Sequence, residues 1–388
     1  MSIATVKVTP RGARRLRAGM PWVFRADVSG SPELAPGEVV RAADASGNLI
    51  GLAFWGARSP IALRLLTRRD EPVDDAFFRA RLASSIERRR ALFPGADAFR
   101  AVHGESDLLP GLFVDCYGDG VAFQSISEGM AAREEAILGM LNELLKPRLI
   151  AVRNDTSARD FEGLARESRL AKGSGAAAVE YREGENRFEV DLMVDLKTGS
   201  FLDQRENHLR AAEYARGAGL DCFTYHGGFA LALARRCSSV LAVDQLEGAA
   251  QKAKANAERN GLSNVEVRAA NAFDLLRQLE RDGARFDVVV LDPPAFAKRK
   301  EGMEAAQRAY KDLNLRALRL LHREGVLITC SCSGKMTQEL FGQMLQSAIE
   351  DAKRPVQILE RRAAGRDHPP LAGLPESDYL KCWILRAL

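Results

Sequence analysis

A chain of 388 residues is too long for one core of ordinary size, so two or three domains are expected. Hydrophobic residues at 46% and charged residues at 28% exclude a disordered or fibrous chain. No run of about 18 apolar residues marks a membrane span, and Met1 to Trp22 holds no apolar segment of signal-peptide length. The expected location is therefore the cytoplasm, with no membrane partner. There the six cysteines are expected as reduced thiols, and none has the paired spacing of a zinc site, so no metal is expected.

Net charge is only +4, but it is unevenly spread. Residues 1–100 hold 17 Lys+Arg against 10 Asp+Glu, and the remainder 39 against 42. A basic front on a near-neutral body suits a polyanion such as RNA, or is simply a solvated basic face.

In chain order, Val6-Lys7-Val8 reads as a strand and Arg11 to Arg17 as a short basic helix ending near Gly19. Arg14 and Arg15 on that helix, with Trp22 and Phe24 just after it, interleave phosphate-binding and base-stacking side chains. Core packing is the competing reading for at least one of the two aromatics. Glu38 to Arg41, Leu49 to Trp55 and Ile61 to Leu66 read as strands, which makes residues 1–70 a small β-rich barrel. Asp75–Phe93 reads as a helix, Leu112–Cys116 and Val121–Ile126 as strands, and Met130 to Leu145 as a helix ending before Pro147. Leu149–Arg153 and Arg187–Leu192 are expected to pair, giving a middle α+β domain over 71–185 in the order strand-strand-helix-strand-strand, with Lys172 to Ala178 as an exposed loop.

From residue 186 to 388 strands and helices alternate, which predicts an α/β domain with a doubly wound parallel sheet. Its strands are expected at Gly219–Phe223, Val240–Asp244, Val265–Ala269, Phe286–Leu291 and Gly325–Cys330. Helices are expected near Phe229–Arg236, Gly248–Asn260, Ala272–Arg281 and Ala305–His322.

Three loops at strand ends carry the chemistry. After the first strand, Phe223-Thr224-Tyr225-His226-Gly227-Gly228 is a tight turn whose glycines let a nucleotide-like ligand approach the backbone. Asp244, ending the second strand, can accept the hydroxyls of a ribose. A dinucleotide-binding fold shares this layout but requires a third glycine that is absent here. After the fourth strand, Asp292-Pro293-Pro294-Ala295-Phe296 offers a carboxylate, carbonyls without N–H competition, and an aromatic ring for a planar base. After the fifth, Thr329-Cys330-Ser331-Cys332-Ser333-Gly334 delivers two thiols, either reactive or merely packed.

These residues, with Asn271-Ala272 after the third strand, resemble class I S-adenosylmethionine-dependent methyltransferases. Adding Asp195-Leu196-Lys197-Thr198-Gly199-Ser200-Phe201-Leu202-Asp203-Gln204-Arg205 and Ser331-Cys332-Ser333, the whole chain is similar to the bacterial large-subunit (23S) ribosomal RNA cytosine methyltransferases that make 5-methylcytosine. The resemblance implies an N-terminal PUA domain, a middle domain and a C-terminal Rossmann-like methyltransferase domain. It also implies S-adenosyl-L-methionine bordered by Gln204, Phe223, Tyr225, Gly227, Gly228, Asp244, Asn271, Ala272 and Asp292, and ribosomal RNA as partner, with a homodimer left open. One departure bears on the base: RNA cytosine methyltransferases of the better-known type carry a cysteine after the fourth-strand Asp-Pro, where this chain has Pro294-Ala295. The single-cysteine arrangement is that of 5-methyluridine enzymes.

Carbon 5 of a pyrimidine becomes nucleophilic only after a thiolate adds at carbon 6. The resemblance aligns Cys332 with the attacking thiol, and Cys330, deeper in the strand, is expected to pack. Lys335 or the bound sulfonium is expected to favour the thiolate. Asp292 is the candidate to hold the base edge or assist proton removal, with Glu376 as alternative, and Phe296 is a candidate to stack on the base. An amino-group methyltransferase and a non-catalytic RNA-binding assembly factor are the other two classes this sequence allows.

Overall fold

In the computed structural model, which describes residues 3–30, 33–296 and 302–388, the strand–helix alternation of the C-terminal half becomes a seven-stranded sheet. Its strands are β1 (Ala218–Cys222), β2 (Ser239–Asp244), β3 (Val265–Ala269), β4 (Phe286–Leu291), β5 (Leu321–Ser331), β6 (Val356–Arg362) and β7 (Lys381–Ala387). The order across the sheet is β3-β2-β1-β4-β5-β7-β6. The first five run parallel, and β7 lies antiparallel between β5 and β6. Helices α1 (Arg205–Tyr214), α2 (Gly228–Ala234), α3 (Glu247–Arg259), α4 (Ala272–Arg281), α5 (Met303–Leu320) and α6 (Gln338–Ala352) accompany it.

The core explains the sequence pattern. The apolar runs of β1, β4 and β5 are buried without alternation because both faces are covered. On α5, Ala306, Tyr310, Leu313, Ala317 and Leu320 form one buried stripe. Gly261 caps α3 at φ +66°, as its place after Asn260 suggests. Helix α6 and strands β6 and β7 extend the sheet beyond the five strands read from the sequence.

The chain divides into two units. One comprises residues 1–181, 189–202 and 366–377; the other, which holds the seven-stranded sheet, comprises 182–188, 203–365 and 378–388. The first contains two five-stranded sheets. The N-terminal one orders its strands Thr5–Lys7, Val39–Ala43, Leu49–Trp55, Ile61–Thr67 and Trp22–Phe24. The second runs Ser168–Lys172, Leu149–Arg153, Gly120–Ser125, Leu112–Tyr117 and Ala98–His103. Buried ion pairs tie the two sheets together: Arg64 reaches Glu105 at 2.6 Å and Glu162 at 2.7 Å. Phe54 stacks on Phe78, ring centroids 6.1 Å apart.

Three local expectations need correction. Leu149–Arg153 does not pair with the strand near residue 187; it lies between Gly120–Ser125 and Ser168–Lys172. The later strand, Asn186–Asp191, forms a two-stranded ribbon with Ala178–Glu183, turning at Gly184, φ +58°. The helix expected over 130–145 is two pieces, Glu128–Ala131 and Glu134–Leu145, because Arg133 leaves helical geometry at ψ 11°.

Candidate active site

Register places the three chemical loops side by side. Cys222 pairs with Leu291 and Leu291 with Thr329, so the loops after β1, β4 and β5 leave the sheet at one end. Such strand carboxyl ends are where a doubly wound sheet presents its ligands.

The loop after β1 is shaped by backbone. Phe223 (φ +69°), Tyr225 (φ +49°) and Gly227 (φ +91°) are all left-handed, turning the chain sharply into α2. Asp221, fully buried beneath it, accepts a 2.6 Å hydrogen bond from Thr224 Oγ1, and burial pushes its carboxyl up to about 7. Each oxygen of Asp244 accepts one backbone N–H, from Tyr225 and Leu246, both at 2.9 Å. A second lone pair on each oxygen remains to receive a ribose hydroxyl. Tyr225 stacks on His226, centroids 3.7 Å apart.

Glycine at 228 has a specific reason: a Cβ there would lie 2.4 Å from the His208 ring. His208, on α1, is buried, and its Nδ1 meets Glu183 Oε1 at 2.6 Å. Burial works against charge on this imidazole, but the adjacent Glu183 carboxylate, with Asp292 and Asp221, outweighs it and raises the pKa above its ordinary value. Sequence reasoning missed this pair, since nothing in local pattern links residues 183 and 208.

Gln204 is buried beside the Cys330 thiol. Its Oε1 accepts from Asn207 Nδ2 at 2.7 Å, and its Nε2 has only the Cys330 sulfur, a weak acceptor, to turn to. A buried amide donor so weakly satisfied is available to a ligand acceptor. That donor, the left-handed loop and the carboxylate of Asp244 form a donor and acceptor set that fits S-adenosyl-L-methionine. Asn271 and Ala272 stand differently. Asn271 Oδ1 caps α4, accepting from Phe273 and Asp274 N–H, and Ala272 is buried in the core. Only the amide NH2 of Asn271 and the local backbone are left to face a ligand.

Asp292 follows β4 and is half-buried, and Pro293-Pro294 ends the ladder there for lack of N–H donors. Phe296 is half-buried between Phe273 and the Tyr310 ring, centroids 5.9 and 4.8 Å away. Tyr310 OH receives a hydrogen bond from Ser331 Oγ at 3.0 Å.

All six cysteines are described, and Cys332 is the one that is not buried. Burial raises Cys116 to about 12 and Cys237 to about 11, and raises Cys222 and Cys330 strongly. Cys330 is buried and faces Cys382 across the β5–β7 pair. Lys335 is exposed, whereas Lys381, the first residue of β7, is buried beside the Cys332 turn. Its Nζ donates to Ser333 O and Tyr379 O, both at 2.7 Å. Sequence reasoning did not single out Lys381.

The remaining candidates lie in the other unit. Arg14 and Arg15 are exposed on the helix Pro10–Arg17, Arg15 3.5 Å from Asp27. Trp22 is half-buried in an edge strand, its indole N–H committed to Glu105 at 2.8 Å and its ring covered by Arg64, so it is tied inward rather than free to stack. Glu376 is exposed in the short turn Pro375–Ser377. Among the described residues, no cluster of three or more His, Cys, Asp or Glu could hold a metal ion, and no helix is long and apolar enough to cross a membrane.

Residues 6–68 match a PUA-like domain and residues 217–364 a methyltransferase domain. The chain is 39% identical over 380 residues to the ribosomal RNA large subunit methyltransferase I of Tolumonas auensis, covering 95% of each chain. It is 36% identical over 377 residues to the protein of that name from Erwinia tasmaniensis, again covering 95% of each. Among solved structures, a methyltransferase complexed with SAH shares the fold at TM-score 0.85 and 21% identity, over 99% of this chain and 100% of that one.

Proposed function

Because the chain belongs to the ribosomal RNA large subunit methyltransferase I family, we propose that it methylates carbon 5 of a cytosine in 23S ribosomal RNA, with Cys332 as nucleophile. The observation that carries the reading is that Cys332 alone among six cysteines escapes burial, at the end of β5, in register with the loops of Asp292 and Phe223–Gly228. The reaction belongs in the cytoplasm.

S-adenosyl-L-methionine supplies an electrophilic methyl group on a sulfonium. The residues that would hold it are the Phe223–Gly228 backbone with Tyr225, the carboxylate of Asp244, the Gln204 amide, and the Asn271-Ala272 turn. Cys332 Sγ adds to carbon 6 of the base, and the electron pair of the carbon 5–carbon 6 double bond moves to carbon 5, which takes the methyl group. Removal of the carbon 5 proton then restores the double bond and expels the Cys332 thiolate. Asp292 is the carboxylate at hand to hold the base edge or receive that proton. Phe296 borders the base. The PUA-like module, with Arg14 and Arg15 exposed on its basic helix, binds RNA phosphates.

The test is methyl transfer from labelled cofactor to 23S RNA by Cys332→Ala and Cys330→Ala, with nucleoside analysis of the product. Loss of at least about a thousandfold is expected for Cys332→Ala and retained activity for Cys330→Ala. Full activity of Cys332→Ala would overturn the nucleophile. A 5-methyluridine product would overturn the base, a reading that Pro294, where other cytosine enzymes carry cysteine, keeps specific.

A further inference from the structure

Resting on the reading of Cys332 as nucleophile, we propose that Lys381 is a positioning residue that holds the Cys332 turn and keeps its sulfur as thiolate. Lys381 pairs in register with Ser331, the residue before Cys332. Its ammonium donates to the carbonyl of Ser333, the residue after it. The lysine thus grips the turn on both sides of the thiol.

Burial at a strand start leaves the ammonium little water. Two of its three N–H groups go to carbonyls, Ser333 O and Tyr379 O, and carbonyls do not neutralise charge. The anions that act on it are Cys332 and Asp378, and burial draws its pKa down to about 8 against them. Tyr310 from α5 also lies within reach of the thiol's charge and is held neutral by burial, and Asp292 after β4 acts on that same tyrosine. Lys381 is a cation whose own charge interacts with Cys332. A buried ammonium beside a thiol favours proton loss from sulfur to solvent, because the resulting ion pair relieves both. This also accounts for a lysine beginning a strand whose next four residues, Cys382-Trp383-Ile384-Leu385, are buried.

The experiment follows carboxamidomethylation of Cys332 by iodoacetamide against pH, read by peptide mass spectrometry on the full chain, for wild type, Lys381→Met and Lys381→Arg. The expected result for Lys381→Met is a rate about tenfold lower at neutral pH, with its midpoint moved up about one unit and its high-pH plateau retained. Lys381→Arg is expected to keep the wild-type midpoint. An unchanged midpoint in Lys381→Met, or a lowered plateau with no shift, would overturn the proposal. If Lys381→Met does not fold, Lys381→Gln takes its place under the same criteria. Because alkylation needs neither RNA nor cofactor, it is separate from the nucleophile reading. A shifted midpoint with active Cys332→Ala would sink the nucleophile, and an inactive Cys332→Ala with an unshifted midpoint would sink only the role of Lys381.

Discussion

At the scale of single residues, the site depends on charges that sequence order keeps far apart. The His208–Glu183 pair is buried, and its imidazole pKa is raised above the ordinary 6.5. Between 6.5 and the higher folded value, the folded state keeps a proton that the unfolded state has lost. The pair's contribution is therefore complete below 6.5 and fades as pH rises through the folded value. Glu183→Gln should lower the melting temperature most near about pH 6 and least near about pH 9. Thermal melts over that range check it, and a deficit independent of pH would refute it. The strand-end positions of Cys332, Asp292, Gly227, Gly228 and Asp244 were legible because each sits in a short local motif that breaks an apolar run. Lys381, His208 and Glu183 were not, because their meaning comes from pairing across the fold. The ties that hold Trp22 were hidden for the same reason: Glu105 and Arg64, its partners, lie 83 and 42 positions further along.

At the scale of elements, strong hydrophobic periodicity made the parallel strands β1 to β5 and the helices between them readable to within a few residues. The failures have physical causes. Ala98–His103 is interrupted by Arg100, which turns to pair with Asp115, and Ser168–Lys172 is a largely exposed edge strand with no apolar alternation. Asn271 illustrates how an element can claim a residue that a motif assigns to a ligand. Its Oδ1 accepts from two N–H groups at the start of α4. Asn271→Ala is therefore expected to cost about 1 kcal/mol of stability, and Asn271→Asp to restore it. Denaturant unfolding measures the first effect. Calorimetry with S-adenosylhomocysteine would show whether affinity changes beyond that loss, which would give the residue a direct ligand role.

At the scale of the molecule, the positive charge is concentrated at the front of the chain. Its first hundred residues carry 17 Lys+Arg against 10 Asp+Glu, and much of this excess resides in the PUA-like module. Arginines that meet phosphates release counterions, so affinity should fall with salt, with a slope of roughly 0.7 per contact on single-stranded RNA. The double substitution Arg14→Ala with Arg15→Ala should reduce the slope of log affinity against log salt by about 1.4. Filter binding to a 23S fragment at several salt concentrations tests this; an unchanged slope would move the RNA footprint elsewhere.

The place of β7 in the sheet has a consequence for biosynthesis. The ribosome makes Cys332 before residues 333–380, and only then Lys381, the residue that enters the sheet between β5 and β6 and grips the thiol's turn. The Cys332 turn therefore cannot take its final form until β7, made after both of its neighbours, has been threaded between them, so this end of the sheet closes late in folding.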